Sequence, residues 1–78
     1  MKVITLTKQP VDLFKILKFE GLVGSGGEAK AAVSEGKVLL NGVVETRKSK
    51  KIMAGDVIEF DKVKYAIECA GGSASAAG

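Results

Sequence analysis

Near the middle of the chain, Val38-Leu39-Leu40-Asn41-Gly42-Val43-Val44 sets two apolar, β-prone runs on either side of an Asn-Gly pair. No other segment limits the fold as tightly. A two-residue turn of type I′ needs φ > 0 at both central positions, which Asn and Gly tolerate better than other residues. The segment therefore predicts an antiparallel hairpin, and the rest of the chain must supply further strands and something to cover one face.

Both are legible. Lys2 to Leu6 reads as a short strand with Ile4 and Leu6 on one face. Pro10 suits the first position of a helix, Asp12 adds negative charge to its first turn, and Gly21 is a natural stop. Leu13, Phe14 and Leu17 recur at helical spacing. Ser25-Gly26-Gly27-Glu28 matches a capping box and opens a second helix, with Ala29, Ala32 and Val33 facing inward and Gly36 ending it. Gly26 and Gly27 weaken that helix by about 1 kcal/mol each relative to Ala, but they permit close approach of another helix or a phosphate. After the hairpin, Arg47 to Lys51 is a basic connection, and Ala54-Gly55-Asp56 a turn. Val57 to Phe60 is a strand, and Asp61-Lys62 a second turn. Val63, Tyr65, Ile67 and Cys69 then alternate with Lys64, Ala66 and Glu68 as a half-buried last strand. The order is β-α-α-β-β-β: two short helices, arranged like a helix-turn-helix, on a small, mostly antiparallel sheet, an α+β fold. The expected organisation is one domain over 1–70 and a flexible tail over 71–78, GGSASAAG.

Composition narrows the chemistry. The 78 residues suit one domain with a small core. Absence of His removes the commonest general base and the commonest metal ligand. Cys69, the single cysteine, can close no intrachain disulfide and build no zinc site. No spacing singles out a catalytic pair among the nine carboxylates. The expectation is a binding module rather than an enzyme, with no cofactor and no metal. Lys8 and Asp12 follow closely on a short apolar start, unlike a signal peptide, and no run approaches the roughly 18–20 apolar residues of a membrane span. A cytoplasmic monomer without membrane contact is expected.

The net charge of +3 is uneven. Residues 30–51 hold six of the twelve basic residues (Lys30, Lys37, Arg47, Lys48, Lys50 and Lys51) and two of the nine acidic ones, a net +4, while the remainder nets −1. Clustered Lys and Arg gain affinity for nucleic acid by releasing its counterions. Phe14, Phe19, Phe60 and Tyr65 all lie outside the segment and mostly read as core, so stacking on bases is not indicated. Recognition of backbone and shape in folded RNA fits better.

Gly21-Leu22-Val23-Gly24-Ser25-Gly26-Gly27-Glu28-Ala29-Lys30, followed by Val33, Gly36, Val38, Leu40, Asn41-Gly42 and Gly55-Asp56-Val57-Ile58, resembles the S-four RNA-binding domain, the module named for the fourth protein of the small ribosomal subunit. The likeness spans residues 11–60. Val44-Glu45-Thr46-Arg47-Lys48, Lys51-Ile52 and Ala54-Gly55 further resemble the small stand-alone members, the YbcJ-like proteins. The resemblance implies a protein that binds RNA, ribosomal or otherwise structured, through the start of the second helix and the adjacent hairpin. Carried over by position, it points to Ser25, Gly27, Lys30, Lys37 and Asn41, and next to Arg47, Lys48, Lys50 and Lys51. The chain departs from the family at Gly26, where many members have Arg, and at Asp12 and Phe14, where many have Arg and Asp. Loss of that Arg removes a bidentate phosphate contact.

Two other readings remain open at this level. The basic face could meet an acidic protein in an adaptor. Gly55-Asp56-Val57-Ile58-Glu59-Phe60 ending in Gly71-Gly72 superficially suggests a β-grasp sulfur carrier, although six residues follow the di-glycine and two consecutive helices fit such a carrier poorly.

Overall fold

Apolar residues on one face of Lys2–Leu6 make strand β1 in the computed structural model, which describes residues 1–70. The next elements are β2 (Val11–Asp12), α1 (Leu13–Phe19), α2 (Gly26–Ser34), β3 (Val38–Leu40), β4 (Val43–Val44), β5 (Lys51–Ile52), β6 (Val57–Phe60) and β7 (Val63–Cys69). Five strands form a sheet in the order β1-β7-β6-β3-β4. Only β1 and β7 run parallel, with Ile4 opposite Ile67; the other pairs are antiparallel. The α+β architecture, the paired helices and the mostly antiparallel sheet are as the sequence implies, but five strands follow the helices where the order β-α-α-β-β-β counts three, because the hairpin supplies two and Lys51–Ile52 adds another. The tail expected over 71–78, and with it Gly71-Gly72, lies outside the described residues.

The core lies between this sheet and the two helices. Leu13, Ile16 and Leu17 of α1 and Ala29, Ala32 and Val33 of α2 are buried together with Ile4, Val38, Ile58 and Ile67 of the sheet. Fully burying one such aliphatic side chain contributes roughly 1.5–3 kcal/mol.

Local chemistry fixes the joints. The Asn41-Gly42 turn has φ of 53° and 87°, as a type I′ turn requires. Both helices end in the same way. In α1, the Leu22 N–H reaches the Leu17 carbonyl and the Gly21 N–H the Lys18 carbonyl; in α2, Lys37 reaches Ala32 and Gly36 reaches Val33. This is the Schellman pattern, and Gly21 and Gly36 take the left-handed position at φ of 71° and 78°.

The chain between β1 and α1 corrects the sequence reading. Pro10 does not open the helix: the Gln9–Pro10 peptide is cis, Val11 and Asp12 are extended, and the helix begins at Leu13. Val11 pairs with Ile52 and Asp12 with Lys51 in a separate two-stranded ladder. Asp12 therefore stands just before the helix, its side chain capping none of the helical N–H groups. The basic connection is likewise partly ordered, because its last residue belongs to β5.

Candidate nucleic-acid interface

A helix begins with N–H groups that have no partner inside it. In α1 two of these are met from the basic loop. Leu13 N–H donates to the Lys50 carbonyl at 2.9 Å and Phe14 N–H to the Lys48 carbonyl at 3.1 Å. The loop turns on itself through Lys50 N–H and the Arg47 carbonyl at 3.1 Å. Its backbone is thus spent on the fold, while Arg47, Lys48 and Lys51 are exposed and Lys50 is half-buried.

The six cations of the basic segment are not equivalent. Arg47 Nε lies 2.8 Å from Glu45 Oε2, and its Nη2 lies 3.2 Å from Glu45 Oε1, a two-pronged pair. These bonds, chiefly that from the Arg47 side chain, hold the Glu45 carboxyl down to about 2 and push Arg47 upward. Lys51 Nζ sits 2.5 Å from Asp12 Oδ1 and lowers the Asp12 carboxyl below its usual range. Lys37 pairs with Glu35 at 3.2 Å. Lys30, Lys48 and Lys50 form no ion pair among the described residues.

Folding brings Lys30 and Lys48 to Phe14. Lys30 of α2 places Nζ 5.1 Å from the centroid of the Phe14 ring, and the Phe14 backbone is the one bonded to Lys48. The aromatics are mostly core, as the sequence implies, with Tyr65 buried and Phe14 and Phe60 half-buried against it, whereas Phe19 is 68% exposed.

The start of α2 is built as a cap and left bare. Ser25 Oγ accepts from Glu28 N–H at 3.2 Å, but the Glu28 carboxylate takes the Gly24 N–H at 2.6 Å instead of returning to Ser25. A Cβ at Gly24 would meet Glu28 Oε1 at 2.7 Å, so glycine is what admits that carboxylate. Gly26 and Gly27 do not serve helix packing. A Cβ at Gly27 would meet only Ser25 Oγ, at 3.9 Å. At Gly26 it would meet the Lys18 side chain, Cδ at 3.7 Å and Nζ at 4.0 Å. Lys18 of α1 thus carries an ammonium to the place where a side chain at Gly26 would begin. Lys18 and Phe14 are the residues sequence reasoning missed, since both come from a helix outside the basic segment.

Asn41 is placed differently. Its Oδ1 accepts from Val57 N–H at 2.9 Å and its Nδ2 donates to Asp56 Oδ1 at 3.2 Å, so both side-chain groups are bonded within the fold. Asp56 in turn accepts from Met53 N–H at 2.9 Å. Among the described residues no cluster of His, Cys, Asp or Glu could hold a metal ion, and no helix is long and apolar enough to cross a membrane.

The family model described as the S4 domain matches residues 4–68. The chain is similar to YbcJ of Escherichia coli (strain K12), provisionally named an RNA-binding protein, with 48% identity over 61 residues, 77% of this chain and 87% of that protein. It is also similar to RlbA of Bacillus subtilis (strain 168), provisionally named a ribosome maturation protein, with 34% identity over 58 residues, 74% and 82% of the two chains. The solution structure of YbcJ from E. coli, described as revealing an ALFAL motif involved in RNA-binding, superimposes with a TM-score of 0.66 at 42% identity and covers 87% of each chain.

Proposed function

The chain belongs to the S4 domain family, and we propose that it is a non-catalytic binder of structured RNA whose contact surface is the start of α2 together with the basic loop. The observation that carries this reading is the capping of α1 by the Lys48 and Lys50 carbonyls. It fixes a loop of lysines at the start of α1, beside the Phe14 ring over which Lys30 of α2 lies. Phosphates would meet Lys30, Lys48, Lys50 and Lys18 first, since these cations surrender no carboxylate on binding. Arg47 and Lys51, held by Glu45 and Asp12, frame the surface, Ser25 and Gly27 offer the bare helix start, and Lys37 and Asn41 border it along the hairpin. Ribosomal RNA is the favoured class of target, supported by the naming of RlbA for ribosome maturation.

The test is binding to a folded ribosomal RNA fragment across a salt series. The slope of log affinity on log salt falls by about 0.7–0.9 for each phosphate that no longer meets a cation. Replacing Lys30, Lys48 and Lys50 by Ala together flattens it by about 2.1–2.7. A triple variant that binds like the parent at every salt concentration refutes the surface. Retention of a protein partner after nuclease treatment, with no RNA recovered, favours an adaptor instead.

A further inference from the structure

Along the sequence no aromatic residue interrupts the basic segment, and that pattern alone favours recognition of phosphates. The fold alters this by carrying Phe14 into the cluster. Its N–H is bonded to Lys48, Lys30 Nζ lies 5.1 Å from its ring centroid, and the ring is half-buried against the core. The other aromatics are elsewhere: Phe19 beside Leu6 and Lys8, Phe60 and Tyr65 on the sheet.

We infer that Phe14 is a stacking platform for one unpaired base of the RNA, and that Lys30 covers the ring in the free protein and passes to a neighbouring phosphate when the base arrives. The inference rests on the RNA-binding reading above. An ammonium over an exposed aromatic face is a weak contact, about 2- to 5-fold in affinity. A base stacked on an aromatic side chain is worth about 5- to 150-fold. The exchange therefore favours the base, and the displaced ammonium gains a phosphate. Lys30 forms no ion pair among the described residues, so no carboxylate opposes its movement. An uninterrupted A-form duplex keeps its base faces stacked and cannot supply this ligand. The target chemistry is a folded RNA with a bulged or loop nucleotide.

The experiment compares one hairpin RNA carrying a single bulged nucleotide with the same hairpin in which that nucleotide is abasic, so that the phosphates are unchanged. The parent protein is expected to prefer the intact bulge by about 5-fold or more. Phe14→Leu, which keeps an apolar side chain against the core, erases the preference and leaves the salt slope alone. Lys30→Ala keeps the preference and lowers the slope by about 0.7–0.9. The chain has no Trp, so Phe14→Trp installs a lone indole whose fluorescence should be quenched by the intact bulge and not by the abasic one. A parent that binds both RNAs equally, or Phe14→Leu with the parent's preference, overturns the inference while leaving phosphate binding in place. If Lys30→Ala and the paired substitution of Lys48 and Lys50 also leave binding unchanged, the RNA-binding reading itself falls.

Discussion

The turn at Asn41-Gly42 and the loop from Arg47 to Lys51 both match family positions implied to face RNA, yet they are held by opposite ends of their residues. At the turn the side chain is consumed: Asn41 bonds Asp56 and Val57 through its amide, and its own N–H donates to the Val57 carbonyl at 2.7 Å. In the loop the backbone is consumed, through the Lys48 and Lys50 carbonyls that cap α1, and the side chains of those two lysines are left for a partner. One device ties β3 to the start of β6; the other presents charge. A short motif can therefore mark a binding surface because it builds the surface or because it touches the ligand, and hydrogen-bond accounting separates the two.

Asn41→Ala is the strongest way to break the contrast. It removes two side-chain bonds and places a residue less tolerant of φ near +53° in the turn. A loss of about 2 kcal/mol is expected, seen as a lower urea midpoint at unchanged slope. The salt slope of RNA binding should stay where it was, and a fall of about one would make Asn41 a phosphate-facing residue as well. Ser25→Ala comes next, costing about 1 kcal/mol through removal of the cap. If RNA affinity drops while the folded fraction at the assay temperature stays near one, the hydroxyl both caps and binds.

Much of the fold was legible because its signals are local. The capping segment at Ser25, the glycine stops at Gly21 and Gly36, the Asn-Gly turn and the alternation from Val63 to Cys69 each occupy a few adjacent residues. The errors share a cause. The β2 and β5 ladder joins residues far apart in the chain and is too short to show any period. The true start of α1 depends on carbonyls from that same distant loop, so Pro10 looked like a helix opener when considered alone. The site was legible in its charge but not in its pairing. Nothing local tells that Lys51 meets Asp12, or that Lys18 and Phe14 join the cluster from another helix.

Pairing gives the next, smaller test. Lys50→Ala should lower the salt slope by about 0.7–0.9. Removing the Asp12 and Lys51 charges as a unit, with Asp12→Asn and Lys51→Gln, leaves the net charge unchanged and should leave the slope nearly so. If the double substitution costs as much as Lys50→Ala, Lys51 leaves its carboxylate to reach the RNA, and the division between paired and unpaired cations fails.

The smallest effect concerns Arg47. Its bonds hold the Glu45 carboxyl at about 2 in the folded chain, against an ordinary value of 4.5. A carboxyl lowered on folding stabilises the fold above its unfolded value, and that contribution is lost as pH falls from about 4.5 through about 2. The direct measurement is the carboxyl carbon shift of Glu45 by NMR. Its midpoint should lie near 2 in the parent and rise toward 4.5 in Arg47→Ala. At neutral pH the same pair reports on binding. If the Nε–H resonance of Arg47 holds its place when RNA is added, Glu45 keeps the guanidinium and Arg47 shapes the loop. If it moves, a phosphate has displaced the carboxylate, and Arg47 passes to the side of the comparison occupied by Lys48 and Lys50.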